Sequence, residues 1–190
     1  MLNSLFKTDT RSQADIRRQF EELMHKSYRQ AYHLAYRLCG NATEAEDLVQ
    51  ESFVRAFRFF HRYDPTLSFT SWLYRIITNV HIDAVRKNSR FRTASLDATP
   101  ENGAAWEIAD EESSPERLLL VDEMSEPLQM ALKAMTPEFR VAVLLADVEC
   151  MAYEEIAEIM NISVGTVRSR IHRGRKQLRD RLESRMGVLL

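Results

Sequence analysis

The segment AYEEIAEIMNISVGTVRSRIHRGRKQL, residues 152–178, contains two amphipathic stretches separated by an abrupt break. A helix over about 153–160 is predicted by apolar residues that share one face, Ile156, Ala157, Ile159 and Met160. The break falls at Asn161-Ile162, and Ser163 is a suitable N-cap for a new helix that begins near Val164. Helix, short turn and second helix form the order of a helix-turn-helix, whose second helix enters the major groove of DNA.

The second of these helices has two chemically different faces. We expect one face to pack inward through Val167, Ile171, Leu178 and Leu182. The opposite face, called the reading face below, carries Arg168, Ser169, His172, Arg173 and Lys176. Residues 164–187 contain eight Lys and Arg against two acidic residues, a local charge of +6. Arginine can pair with guanine through two hydrogen bonds, so the pattern favours base reading over an ordinary solvated surface.

The composition of the whole chain predicts an all-α protein. Among 190 residues, 45% are hydrophobic and 28% charged, with only five Gly and five Pro, which disfavours sheet folds with frequent turns. Cys39 and Cys150 lie far apart and outside any metal-binding spacing, so we expect two buried, reduced thiols and no metal site. No apolar run approaches the roughly 18 residues that span a bilayer, and no signal peptide is recognisable, so we expect a cytoplasmic protein.

The net charge of -2 conceals three blocks of different charge. Residues 1–96 carry 15 Lys and Arg against 10 Asp and Glu, residues 97–126 carry 1 against 10, and residues 127–190 carry 10 against 8. Basic blocks on both sides of an acidic one suggest a polyanionic partner. Residues 93–114 lack a helical period and predict a flexible acidic linker, in which Trp106 is available to dock on a partner or a domain.

Three helices are predicted in the first block, over about 16–38, 43–61 and 68–90, the second opened by a capping box of Thr43 and Glu46. A turn separates the last two at residues 63–66. The second helix is expected to bury Ala45, Leu48, Val49, Phe53, Ala56, Phe57 and Phe60. The third is expected to bury Phe69, Leu73, Ile76, Ile77, Val80 and Ala84.

The third helix also carries a second, polar face. Steps of four, four, three and four residues join what we call the polar stripe, which consists of Arg75, Asn79, Asp83, Arg86 and Arg90. Its cations suit contact with phosphates. A solvated helix face explains the same charges equally well, so charge alone does not decide between the two.

The second block is predicted to be helical as well. Pro127 predicts either one kinked helix or two short ones around it. Thr136 and Pro137 predict the N-cap and first residue of the next helix.

Three motifs resemble, in order, the extracytoplasmic-function (ECF) sigma factors of bacterial RNA polymerase, group IV of the sigma-70 family: EAEDLVQESFVRAF at 44–57, FTSWLYRIITNVHIDAVRK at 69–87, and the segment 152–178. The resemblance covers about 150 of the 190 residues. It implies two small helical domains, sigma region 2 over 16–92 and sigma region 4 over 115–187, joined by the flexible linker over 93–114.

The resemblance also implies a role for each face. The outer face of the second helix, Asp47, Gln50, Glu51 and Arg55, would bind the clamp of the largest subunit of core polymerase. The -10 element of the promoter would be read and melted by Tyr63, Ser68 and Asn79, with Arg75, Arg86 and Arg90 on the DNA backbone. The reading face would recognise the -35 element, and Trp72 and Tyr74 would pack their helix in place.

Such a protein would direct promoter-specific transcription initiation without catalytic chemistry, cofactor or metal. Its partners would be core RNA polymerase, through clamp and flap, promoter DNA, and an anti-sigma factor. Many members have a larger aromatic side chain at the position of His172, so this chain departs from the family pattern within the reading face. The linker would thread the polymerase, or serve only as a tether.

The sequence is less consistent with two other classes of protein. A stand-alone helix-turn-helix regulator carries a similar EIA…S…TV pattern, but it would not need the motifs at 44–57 and 69–87. An enzyme is disfavoured because the sequence has no Gly-rich phosphate loop, metal-binding motif or recognisable nucleophile.

Overall fold

The computed structural model describes residues 7–95 and 124–186, with side chains over 13–88 and 124–184. These residues form seven α-helices and no strand, which confirms the all-α prediction for the described part of the chain. The helices are α1 (Lys7–Cys39), α2 (Ala42–Arg58), α3 (Phe69–Ser95), α4 (Glu126–Lys133), α5 (Pro137–Val143), α6 (Tyr153–Met160) and α7 (Val164–Met186). A 3-10 turn over Phe60–Arg62 follows α2, and a π-helical turn over Leu144–Val148 continues α5.

The first domain consists of α1, α2 and α3 around an aromatic centre. The ring of Phe20 meets four other phenylalanine rings edge-on at centroid distances of 5.1–6.5 Å, those of Phe53, Phe57, Phe60 and Phe69. Edge-to-face pairs at such distances stabilise a core beyond the area that they bury. The fully buried Leu34, Leu73 and Ile77 extend this core along α1 and α3.

Several predicted boundaries in the first domain were wrong. Helix α1 begins at Lys7 rather than near residue 16, and α3 continues to Ser95, into the predicted linker. The N-cap of α2 is Asn41, whose Oδ1 accepts a hydrogen bond from the Glu44 amide at 2.7 Å. Because Asn41 caps first, Thr43 lies inside the helix and the predicted capping box does not open it. The helix ends at Arg58, where the tighter 3-10 turn replaces it.

Three burial predictions were also wrong. Phe57 is 49% exposed, although its ring packs against that of Phe20 at a centroid distance of 5.1 Å. Ala84 is exposed, because α3 extends beyond the first-domain core after His81. Cys150 is exposed and only Cys39 is buried, since Cys150 lies in the loop before α6 with a positive φ of 52°.

The second domain consists of α4 to α7. Pro127 lies in the first turn of α4, where its missing N–H costs no helical hydrogen bond. The helix begins at Glu126, one residue before this proline. The chain before Met124, including Trp106 and most of the predicted linker, lies outside the described residues. Thr136 and Pro137 open α5 as predicted. No helix in the described ranges is long and apolar enough to cross a membrane.

The two domains pack against each other. Helix α3 contacts α5 and α6, and α1 contacts α4. Gln129 of α4 donates from Nε2 to the carbonyl oxygen of Tyr36 at 2.9 Å, and Arg140 of α5 donates from Nη1 to the carbonyl oxygen of Leu38. The last carbonyls of a helix have no partner within it, so side chains of the second domain cap the end of α1.

Candidate nucleic-acid interface

A tight turn joins α6 to α7. Asn161 adopts the left-handed conformation, with φ and ψ both 52°, which asparagine tolerates better than most residues. Ser163 then caps α7, because its Oγ accepts a hydrogen bond from the Thr166 amide at 3.2 Å. Both the break and the cap confirm the prediction. Ala152 lacks a capping oxygen. Glu155 Oε2 instead accepts a hydrogen bond from the Ala152 amide at 2.9 Å, and this bond stabilises the start of α6.

The inward face of α7 fixes the helix against the second domain. Val167 and Ile171 are buried, and Leu178 and Leu182 are half-buried. Gly174, which sequence reasoning missed, lies where a Cβ would stand 2.6 Å from Val143 Cγ2 and 3.1 Å from the Phe139 carbonyl oxygen. Only glycine lets α7 approach α5 this closely, and no spacing rule in the sequence singles it out.

The reading face of α7 is wholly exposed, at Arg168, Ser169, His172, Arg173 and Lys176. A neighbouring cation, Arg175, is engaged elsewhere, since its guanidinium donates to both oxygens of Asp147 at 3.0 and 2.5 Å. These hydrogen bonds raise the pKa of Arg175 above its usual range. The structure therefore distinguishes Arg175, which stabilises the domain, from the exposed cations of the reading face.

The polar stripe of α3 faces the second domain over part of its length. Arg86 Nη2 forms an ion pair with Glu138 Oε1 of α5 at 3.1 Å. Asn79, Asp83 and Arg86 line a cavity of about 180 Å³ whose far wall includes Glu138, Ile162 and Arg170. Arg75 is exposed, and the side chain of Arg90 lies outside the described side chains.

The loop before α3 is held by aromatic packing. The ring of Tyr63 stacks on Phe60 at 5.6 Å and lies 5.3 Å from Trp72, and its hydroxyl donates to the Leu67 carbonyl oxygen at 2.8 Å. Partial burial and nearby Asp64 raise the pKa of Tyr63. Ser68 is exposed, and its Oγ accepts from the Ser71 amide at 3.4 Å. Tyr63 is thus held by its own chain, whereas Leu67 is 62% exposed.

The outer face of α2 is exposed and of mixed character. Asp47, Gln50 and Glu51 are exposed, and Arg55 is partly covered by its 2.6 Å ion pair with Glu51. Two exposed apolar residues lie on the same helix, Val54 at 54% and Phe57 at 49%. Sequence reasoning did not single out Val54 and placed Phe57 in the core. Among the described residues, no group of three His, Cys, Asp or Glu could hold a metal ion.

Two stretches of the chain match family models. Residues 23–91 match Sigma-70 region 2, and residues 125–178 match Sigma-70, region 4. The first range holds α2 and the polar stripe, and the second holds the helix-turn-helix.

Individual relatives agree with these matches. The chain is 45% identical over 163 residues to the ECF RNA polymerase sigma factor SigE of Mycolicibacterium smegmatis, which covers 86% of this chain and 61% of that relative. It is 37% identical over 153 residues to the ECF RNA polymerase sigma factor SigW of Bacillus subtilis, which covers 80% of this chain and 82% of SigW. The chain thus spans less than two thirds of SigE but most of SigW.

A solved structure shares the fold. The sigma factor RpoE of Bartonella quintana, determined in complex with the anti-sigma factor NepR, superposes with a TM-score of 0.66 at 22% identity, covering 87% of this chain and 97% of that one. The two matched regions, in the same order as the predicted motifs, and the extensive alignment with SigW lead to one assignment. The chain belongs to the ECF sigma factors of the sigma-70 family.

Proposed function

We propose that this chain binds core RNA polymerase and directs promoter-specific initiation by reading the -10 and -35 elements. One observation carries the proposal. The chain that matches both sigma regions exposes the reading face of α7 as a single basic surface behind a capped helix-turn-helix. Such a surface suits the major groove, and the protein needs no catalytic chemistry of its own.

In this proposal the reading face recognises the -35 element. Arg168 and Arg173 can each pair with a guanine edge, and Ser169 and His172 can bond several bases. Lys176 supplies a cation for the backbone. Because all five side chains are exposed, recognition requires no rearrangement of α7.

The -10 element is assigned to α3 and the loop before it. Asn79 offers an amide for a base edge, and Tyr63 and Ser68 border the loop that would hold an unstacked base. Arg75, Arg86 and Arg90 would follow the backbone. The fixed ring of Tyr63 supports a role as the wall of a base pocket, because its packing orients the ring before DNA arrives.

We assign the binding of core polymerase to the outer face of α2. Asp47, Gln50, Glu51 and Arg55 would contact the clamp, and exposed Val54 and Phe57 would add apolar area at the same interface. The second domain would contact the flap, and the linker would connect the domains within the polymerase. Since polymerase and chromosome lie in the cytoplasm, we place the chain there.

We further propose control by an anti-sigma factor. The similar fold of RpoE was solved with such a partner bound, and here α2 and α3 expose charged and apolar groups that a partner could cover.

Run-off transcription with core polymerase on a pool of random promoters tests the proposal. Transcripts that depend on the protein and share -10 and -35 sequences would support it. A folded protein that binds duplex DNA but does not bind core polymerase would instead be a stand-alone helix-turn-helix regulator.

A further inference from the structure

The 3-10 turn that follows α2 ends a strongly basic and aromatic stretch of the chain. Residues 52–63 contain three Arg, one His and five aromatic residues, and no Asp or Glu. Arg58 and Arg62 are exposed and have no carboxylate partner among the described residues. Arg55, by contrast, is paired with Glu51. The turn therefore carries two cations whose charge no described carboxylate neutralises.

The turn arranges its side chains as two stacked pairs, because residues at i and i+3 of a 3-10 helix lie one above the other. The inner pair is Phe60 and Tyr63, whose ring centroids lie 5.6 Å apart, and Phe60 is buried. The outer pair is Phe59 and Arg62, with the guanidinium carbon 5.2 Å from the centroid of the Phe59 ring. A cation within about 6 Å of a ring centroid is attracted to the ring, so each member of the outer pair holds the other in place.

The outer pair is accessible to a ligand. Phe59 is 38% exposed, and no other ring in the described part of the chain stacks on it. The guanidinium of Arg62 is exposed as well. Aromatic rings and guanidinium planes are the groups on which proteins stack the bases of single-stranded nucleic acid, while nearby cations follow its backbone. The outer pair has both of these properties.

The outer pair also lies beside the loop that we assign to the unstacked base of the -10 element. Arg62 directly precedes Tyr63, and Phe59 lies four residues before it, a distance of about 8 Å at 2.0 Å per residue. This distance corresponds to about two nucleotides at 3.4 Å per nucleotide of one strand. A strand whose flipped base rests against Tyr63 therefore brings a neighbouring base to the outer pair. A duplex keeps its bases stacked on one another, so it offers no free base to the ring.

We propose that Phe59 and Arg62 form a second base-stacking platform, which binds the melted DNA strand next to the -10 element without reading its sequence. Exposed Arg58 supplies a further cation for the backbone. The proposal rests on the proposed function for placing the strand at Tyr63. Because every base has a π-face, such a platform accepts any base. It adds affinity for melted DNA and leaves promoter preference to the residues that read base edges.

Fluorescence anisotropy of the full chain, with a random 20-nucleotide single strand and a random 30-base-pair duplex, tests the platform. Phe59→Leu and Arg62→Gln each remove one member, and Arg29→Gln removes the same charge from an exposed position of α1 outside the platform. We expect each of the first two variants to weaken single-strand binding about tenfold and to leave duplex binding within about twofold of wild type. Arg29→Gln should change both by less than about twofold. Equal losses on the two DNAs, an equal loss in Arg29→Gln, or a wild type that does not bind the single strand would overturn the platform.

Two further variants separate stacking from charge. Arg62→Lys keeps the charge but loses the planar guanidinium, so it should lose most of the affinity that Arg62→Gln loses. The double variant Phe59→Leu/Arg62→Gln should lose little more than either single variant, because both residues act on the same base. An Arg62→Lys protein that binds the single strand like wild type, or a double loss of about a hundredfold, would contradict the stacked pair. If Phe59→Leu does not fold, the two variants of Arg62 decide by themselves.

Binding to core polymerase separates this proposal from the proposed function. In gel filtration, Arg62→Gln should elute with core polymerase as the wild type does. Loss of that binding with unchanged single-strand affinity would make the outer pair a polymerase contact and would overturn the platform. A wild type whose single-strand binding depends on Phe59 and Arg62, but which does not bind core polymerase, would refute the proposed function and leave the platform in place.

Discussion

Arg175 of α7 is bound at two points by Asp147 of the π-helical turn, with Nε to Oδ2 at 3.0 Å and Nη2 to Oδ1 at 2.5 Å. This cation sits within two residues of Arg173 and Lys176, yet its donors are turned toward protein. We therefore expect Arg175→Ala to lower the stability of the second domain by up to about 1 kcal/mol and to leave -35 preference unchanged. Thermal unfolding and selection from a random duplex pool measure the two effects. A changed base preference would place Arg175 on DNA.

We expect the opposite result for Arg168. Its side chain is exposed on the reading face, where the guanidinium can enter a groove of DNA. Arg168→Ala should weaken binding to the selected -35 site by roughly 1–3 kcal/mol and relax preference at one position, with unfolding unchanged. Gel-shift titrations on the selected and a scrambled site measure this. Equal losses on both would mean a backbone contact instead.

The two glycines of α7 should respond in opposite ways to a methyl group. At Gly174 the added Cβ would lie 2.6 Å from Val143 Cγ2, so Gly174→Ala should destabilise the second domain by about 1–3 kcal/mol. At Gly165 the nearest atom is Ser163 Oγ at 3.8 Å, so Gly165→Ala should be neutral or stabilising by up to about 1 kcal/mol. Urea unfolding of the two variants makes the comparison. Similar losses would contradict the close approach of α7 to α5.

His81 should make stability depend on pH. Burial, with a smaller effect of nearby Arg140, lowers the pKa of His81 from 6.5 to about 4. Between pH 6.5 and pH 4 the imidazole of His81 is protonated in the unfolded chain and neutral in the folded protein. The free energy of unfolding is therefore at its full value above pH 6.5 and decreases as the pH falls toward 4. The full shift of the pKa corresponds to a loss of about 3 kcal/mol.

Urea unfolding at pH 7 and pH 4.5 measures this dependence for the wild type and for His81→Gln. The variant should lose less stability between the two pH values. An identical loss would assign the pH dependence to other groups.

The two thiols should differ sharply in reactivity. Burial, followed by the charge of Glu44, raises the pKa of Cys39 to about 12, whereas Cys150 is exposed. Since the thiolate is the reactive form, iodoacetamide at pH 8 should label one cysteine in the folded protein and two in urea. Mass spectrometry of Cys150→Ser should show a native protein that resists labelling. Rapid labelling of that variant would contradict the burial of Cys39.

Sequence reasoning succeeded where the determining interactions are local. The turn at Asn161 and the cap at Ser163 depend on residues within a few positions of each other, and both were predicted. At the start of α2 the pattern predicted a capping box opened by Thr43, whereas the structure has Asn41 as the cap. The contact of Arg37 with Glu149 joins residues 112 positions apart, and nothing in the neighbourhood of either residue indicates the other.

The π-helical turn over Leu144–Val148 affects the direction in which the residues at its end point. The amide of Glu149, which follows the turn, donates a hydrogen bond to the carbonyl oxygen of Leu144, five residues back, at 3.0 Å. An α-helix advances about 100° per residue, so the wider turn sets the angle at which the following residues leave the helix. Asp147 forms an ion pair with α7 of its own domain. Glu149, two residues later, accepts a hydrogen bond from α3 of the first domain. Deleting one residue ahead of Asp147 would rotate both carboxylates away from their partners at once, although neither assignment places this stretch on DNA.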